Sequence, residues 1–167
     1  MIQSIHCHLS EAAILLDLDD QLDLNVELVE WTDKKRQQFK RSILEILVGL
    51  LDRSGHVGNP SKLLKDLFHR ELKQSTAMGE GFAMPHVRTM QARELTIAIM
   101  RSRQGVYFAA QDGLPVHTFV GIICPPYDDK KYLKLLAELS THVVDGTLMN
   151  AIMEAKSARD VMNFFCR

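Results

Sequence analysis

At 167 residues the chain is long enough for one domain with a full core and too short for two of ordinary size. It is 46% hydrophobic and 25% charged, a balance that excludes an unfolded, charge-dominated chain. With 20 basic and 21 acidic residues the formal net charge is −1, so no long-range field favours nucleic acid or an anionic membrane, and any anionic ligand has to be held by local groups.

The longest apolar stretch, Ile43 to Leu51, is interrupted by Glu45 and falls well short of the roughly 20 residues of a membrane span. Met1 leads straight into Ile-Gln-Ser-Ile-His-Cys, without the basic start and apolar middle of a signal peptide, so a cytoplasmic protein is expected. Cys7, Cys124 and Cys166 are widely spaced and form no C-x-x-C pair, which fits reduced thiols. His6-Cys7-His8 lacks the separated ligand pairs of a structural zinc site, and neither a metal nor a cofactor is expected.

In chain order, Ala13 to Leu18 reads as a short strand leaving the core toward the acidic cluster Asp17, Asp19 and Asp20. Gln21 to Trp31 alternates at Leu22, Leu24, Val26 and Leu28 and reads as an extra strand or an irregular insertion. After Thr32, a candidate N-cap, Phe39, Ile43, Ile46, Leu47, Leu50 and Leu51 recur at helical spacing. They predict an amphipathic helix ending near Asp52, with Lys34 to Lys40 as a solvated face. Ser54 to Asn59 is a turn, and Asn59-Pro60 supplies an N-cap followed by proline at the first helical position. That second helix runs to about Lys73 and brings His69 and Arg70 close to the next segment of chain.

This next segment is Gly-rich, from Gly79 to Pro85; its glycines permit unusual backbone angles and its proline constrains the chain, so His86 is held at a strand end. Leu95, Ile97 and Ile99 alternate through a strand reaching Met100, Arg101 to Gly105 reads as a polar turn, and Val106 to Phe108 as a resumed short strand. Asp112-Gly113 is a hairpin-type signal. Val116 to Cys124 is apolar on both faces, as in a central strand covered on both sides. Leu133, Leu135, Leu136, Leu139 and Val143 mark a long helix closing near Asp145-Gly146. A short helix comes next over about Leu148 to Glu154, and Ser157 to Asp160 resembles a capping box opening the last helix. The order implies an α/β fold: a single-domain layered sandwich whose central mixed β-sheet is covered by helices on both faces.

Gly79-Glu80-Gly81 lacks the third glycine of a dinucleotide fingerprint and the Gly-Lys-Ser/Thr of a triphosphate loop, so neither nucleotide reading stands. What remains is a histidine fixed by proline, with an arginine sixteen positions earlier. Imidazole is a nucleophile near neutral pH, and a guanidinium grips phosphate in a fork, so His86 and Arg70 together suit a phosphohistidine.

The run Arg70-Glu71 … Thr76 … Gly79-x-Gly81-x-Ala83-x-Pro85-His86 resembles the signature of EIIA domains of the fructose/mannitol class (type 2) in the bacterial phosphoenolpyruvate-dependent phosphotransferase system, including its nitrogen-regulatory branch. The likeness continues through Asp112-Gly113-x-Pro115-Val116, a strand ending at Pro125 and a helix containing Leu133-x-x-Leu136. Residues 32–167 therefore stand as the family-like core of a single domain spanning 1–167, and residues 1–31 as a divergent N-terminal strand and insertion.

By that resemblance His86 is the phosphoryl acceptor, taking the group from an HPr-like histidine phosphocarrier protein and passing it to an EIIB domain or a regulatory partner. Arg70 would be its charge partner, and Thr76, Gly79 and Gly81 would support the loop. One departure stands out. The family usually places a second histidine immediately before the first leucine of the helix after the central strand, and here Tyr132 occupies that place. A phenol donates one hydrogen bond but supplies no positive charge, for which Lys130 or Lys131 is the replacement at hand. A regulatory protein-binding module of the same fold, with impaired or no phosphoryl transfer, is thus the alternative to a phosphocarrier. His117 reads as partly buried at a strand start, and His142 lies too far along its helix to substitute for Tyr132.

Overall fold

The computed structural model describes residues 3–24 and 31–166, so the expected alternation at Val26 and Leu28 lies outside the described residues. Six strands form one mixed sheet: β1 (Ile14–Leu15), β2 (Ala77–Gly79), β3 (Phe82–Ala83), β4 (His86–Arg88), β5 (Thr96–Val106) and β6 (Val116–Cys124). The order is β1-β5-β6-β3-β2, with β4 also paired to β6. β5 and β6 are antiparallel, whereas β3 and β4 both run parallel to β6 along its other side, β3 against Thr118 and Phe119 and β4 from His86↔Ile122 onward. Every residue from Thr118 to Cys124 is buried, so both faces of the central strand are covered, as its unbroken apolar run requires.

Helix α1 (Gln3–His6) is followed by α2 (Asp33–Asp52) and α3 (Pro60–Lys73). The Thr32 hydroxyl accepts from the Lys35 amide, and the Asn59 side chain accepts from the Lys62 amide, so both expected caps satisfy otherwise orphaned donors. α2 buries Ile43, Leu44, Leu47, Val48 and Leu51. Leu47 lies on the sheet at Gly121, where a Cβ would stand 2.5 Å from Leu47 Cδ1, so helix and sheet approach this closely only over a glycine. After β6 come α4 (Asp129–Val144), α5 (Thr147–Glu154) and α6 (Ala158–Cys166). Gly146 takes a left-handed φ of 73° just past the end of α4. Asp160 accepts from the Lys156 and Ser157 amides, while the Ser157 hydroxyl accepts from the Asp160 amide, which closes the expected capping box. No helix among the described residues is long and apolar enough to cross a membrane.

Three local expectations are corrected. Only Ile14 and Leu15 of the Ala13–Leu18 run are strand; Leu18–Gln21 is a 3-10 turn because the Asp19 carboxylate is drawn to the Ser102 hydroxyl and to the Arg103 and Gln104 amides. Arg101 to Gly105 is not a turn but continues β5 across a register irregularity, with Gly105 at a φ of 80°. The polarity of Arg101 is explained by its partners: its buried guanidinium donates to the carbonyls of Leu16, Ile152 and Ala155. Lys40 does not belong to a solvated face either. It is buried, 3.0 Å from Glu71 and 4.9 Å from the centre of the Phe108 ring.

Candidate functional site

The site is assembled from the end of α3. Arg70 lies in its last turn, where the macrodipole favours a cation, and its Nη1 donates to the Gln74 carbonyl at 3.1 Å. The neighbouring Glu71 points inward. Its carboxylate accepts from the Thr76 amide at 2.9 Å, the Thr76 hydroxyl at 2.5 Å and Lys40 Nζ at 3.0 Å. A buried carboxylate so surrounded fixes how the chain leaves the helix.

From Thr76 the chain makes a hairpin and returns. Gly79, Glu80 and Gly81 have φ of 93°, 53° and 82°, and the Asp112 carboxylate stabilises this left-handed corner by accepting from the Glu80 amide at 2.7 Å. Backbone donors from Glu80 and Leu114 hold Asp112 below the usual carboxylate range. The returning Met84 amide donates to the Thr76 carbonyl at 3.0 Å, and the Pro85 carbonyl accepts from the Ile122 amide on β6. His86 is thereby set as the first residue of β4.

The His86 ring lies with Nδ1 2.7 Å from the Met84 carbonyl oxygen. A carbonyl only accepts, so the contact assigns the proton of the neutral ring to Nδ1 and leaves the lone pair on Nε2. Burial lowers the His86 pKa from its ordinary value; the Met84 bond opposes this, Arg70 adds to it, and Glu71 opposes it. The neutral, nucleophilic form is therefore favoured near pH 7.

His86 lines an open cleft of about 680 Å³ together with Arg70, Arg88, Asp129, Tyr132 and Leu133. Tyr132, from the first turns of α4, is buried with its ring centre 6.2 Å from that of His86. Burial pushes its phenol up to about 12, so it remains an O–H donor at neutral pH, although the nearby Arg88 and Arg70 charges act the other way. Arg88 is two residues beyond His86, hence on the same side of β4, and forms an ion pair with Asp129 at the start of α4.

The structure thus brings His86, Arg70 and Tyr132 to one cleft. Thr76 stands behind it, linked to His86 through Met84, while Gly79 and Gly81 shape the hairpin and do not line the cleft. Neither Lys130 nor Lys131 lines it, and Lys131 is exposed and paired with Asp128 at 3.4 Å. Besides Arg70, the cation acting on Tyr132 is Arg88, which sequence reasoning passed over. Its signal was the two-residue alternation after His86. Glu71 was visible only as part of the Arg-Glu pair. His117 donates from Nδ1 to the Ser102 carbonyl and packs against Gly81, and His142 sits beside Asp145 at the far end of α4. Met84 is buried and Met78 half-exposed. Among the described residues no three ligating side chains gather where a metal could bind. Chemically, a lone-pair nitrogen in one cleft with two guanidiniums and a phenol is equipped to accept a dianionic group.

A family model described as "Phosphoenolpyruvate-dependent sugar phosphotransferase system, EIIA 2" matches residues 24–167. The fructose-specific EIIABC component of Bacillus subtilis (strain 168) is 30% identical over 71% of this chain and 19% of its own length, so the chain spans about a fifth of that relative. The fructose-specific EIIA component of Haloferax volcanii is 28% identical over 74% of this chain and 80% of its own. The crystal structure of nitrogen regulatory protein IIA-Ntr from Neisseria meningitidis matches with a TM-score of 0.76 and 25% identity, covering 96% of this chain and 98% of that one.

Proposed function

The chain belongs to the EIIA 2 family of the phosphoenolpyruvate-dependent sugar phosphotransferase system, and on that premise we propose that it is a phosphocarrier whose His86 Nε2 accepts a phosphoryl group from an HPr-like histidine phosphocarrier protein. The group then passes to an EIIB domain or a regulatory partner. The observation that carries this reading is the bond from Nδ1–H to the Met84 carbonyl, which leaves Nε2 as the lone-pair nitrogen in a cleft shared with Arg70.

In the transfer, the Nε2–P bond forms as the donor's N–P bond breaks, and the breaking bond's electron pair returns to the donor imidazole. The Nδ1 proton stays where it is. The His86 ring becomes cationic, a state that the Met84 carbonyl and the Glu71 carboxylate both favour. Arg70 offsets the phosphoryl charge, so the protein's part is positioning and electrostatics. Onward transfer reverses the step, with the cationic ring as leaving group. The name EIIABC of the Bacillus subtilis relative joins A and B components, which supports an EIIB acceptor here.

Tyr132 favours a second reading. A buried phenol that stays neutral supplies no positive charge at the family's second-histidine position, so this chain would serve as a regulatory protein-binding module with impaired or no phosphoryl transfer. One experiment addresses both. Incubated with phosphoenolpyruvate, enzyme I and the carrier protein, the chain should gain an acid-labile, base-stable phosphate that is absent from His86→Ala. No label on the wild type overturns every phosphorylation-dependent reading. Given label, Tyr132→His should speed transfer to an EIIB domain; an unchanged rate removes Tyr132 as the reason for the second reading.

A further inference from the structure

We propose that Arg88 is a second phosphoryl-binding residue for His86, kept at the cleft by Asp129 until the group arrives. This rests on the phosphocarrier reading and deepens it. Residues two apart on a strand share a face, so β4 presents Arg88 and His86 to the same side, and both line the cleft. Arg70 approaches from α3 and Tyr132 from α4; both line the cleft with His86 and Arg88, and both arginines act electrostatically on the Tyr132 hydroxyl, whose ring centre lies 6.2 Å from that of His86.

One guanidinium leaves half of a dianionic phosphoryl charge unmatched, and a neutral phenol does not supply the rest. Arg88 does. Its Nη1 is directed to Asp129, which leaves Nε and Nη2 of its five N–H donors for an incoming oxygen. Both side chains of the pair are about half exposed, so water screens the contact and the guanidinium is readily redirected. A phosphoryl oxygen bearing a fuller charge beside His86 then competes with Asp129 for the fork. The lysines of α4 do not offer this, because Lys131 points to Asp128 and none of Lys130, Lys131 and Lys134 lines the cleft.

Phosphoryl exchange with the carrier protein distinguishes binding of the group from docking of the partner. A residue that only docks the carrier changes forward and reverse rates together and leaves the equilibrium alone. A residue that binds the phosphoryl on His86 shifts the equilibrium itself. Mixing the phosphorylated carrier with excess chain and quantifying both phosphohistidines at rest, we expect Arg88→Gln to lower the equilibrium constant for label on His86 by about tenfold, the scale of one charged hydrogen bond. Arg88→Lys should recover most of it, and Asp129→Asn should raise it. An Arg88→Gln constant within about twofold of wild type overturns the assignment, with thermal unfolding used to verify that the variant is folded. Label on wild type with an unmoved constant sinks Arg88 alone. No label at His86 in wild type sinks Arg88 and the phosphocarrier reading together.

Discussion

On the proposed reading, His86 acts as a nucleophile because of where its proton is. The Met84 carbonyl anchors Nδ1–H, and burial holds the ring's pKa below its ordinary value. Unfolded, the imidazole takes a proton near 6.5; folded, it does so only at lower pH. Between those two values the unfolded chain binds more protons, so this group lowers stability as pH falls through that window and costs nothing well above it. An NMR titration of the His86 imidazole should inflect below 6.5, and an inflection above that value would mean that burial is not the dominant influence. Behind the ring, Glu71 is nearly inaccessible and depends on Lys40 for its counter-charge, their side chains being 1% and 10% exposed. Lys40→Met should therefore destabilise the fold by about 3 kcal/mol in denaturant unfolding, the scale for stranding one member of a buried pair. A loss below about 1 kcal/mol would show that Thr76 alone satisfies the carboxylate.

Among the elements, those with local chemical signals were legible in the sequence. Thr32, Asn59-Pro60 and Ser157 to Asp160 cap helices through side-chain bonds within three or four residues, which a sequence displays directly. The strands β2, β3 and β4 were not, since runs of two or three residues carry no period. β5 was cut short at Arg101 because a charged side chain in a strand reads as exposed, whereas its partners are carbonyls more than fifty positions away in α5 and near Leu16. The same reason hid Arg88: its place at the site needs both strand parity and the start of α4, 41 residues on. His86, Arg70 and Tyr132 were identified from the motif, but their convergence needed the cleft. Close packing of α2 on β6 gives a test at this scale. Gly121→Ala should cost about 1–3 kcal/mol, because its Cβ would press on Leu47. Leu47→Ala in the same chain should recover part of the Gly121→Ala cost, seen as a favourable coupling in a double-mutant cycle.

At the scale of the whole molecule, Arg101 joins the two ends of the chain to the sheet. It binds Leu16 beside β1 and the C-terminal carbonyls of α5, so Arg101→Met leaves several buried acceptors without a donor. The variant should lose about 3 kcal/mol or more, and hydrogen exchange should quicken in both α5 and the segment around β1. Faster exchange confined to one of them would show that the two ends are stabilised independently. The sheet itself ends on β1 and β2, and β4 is bonded only along β6; these open strands are two, three and three residues long. Free backbone donors and acceptors in so short a row give a foreign strand almost no template to extend. The partner proposed above would therefore be recognised through side chains, and concentrated solutions of the chain should resist growth into strand-paired fibres even while the cleft beside His86 stays open.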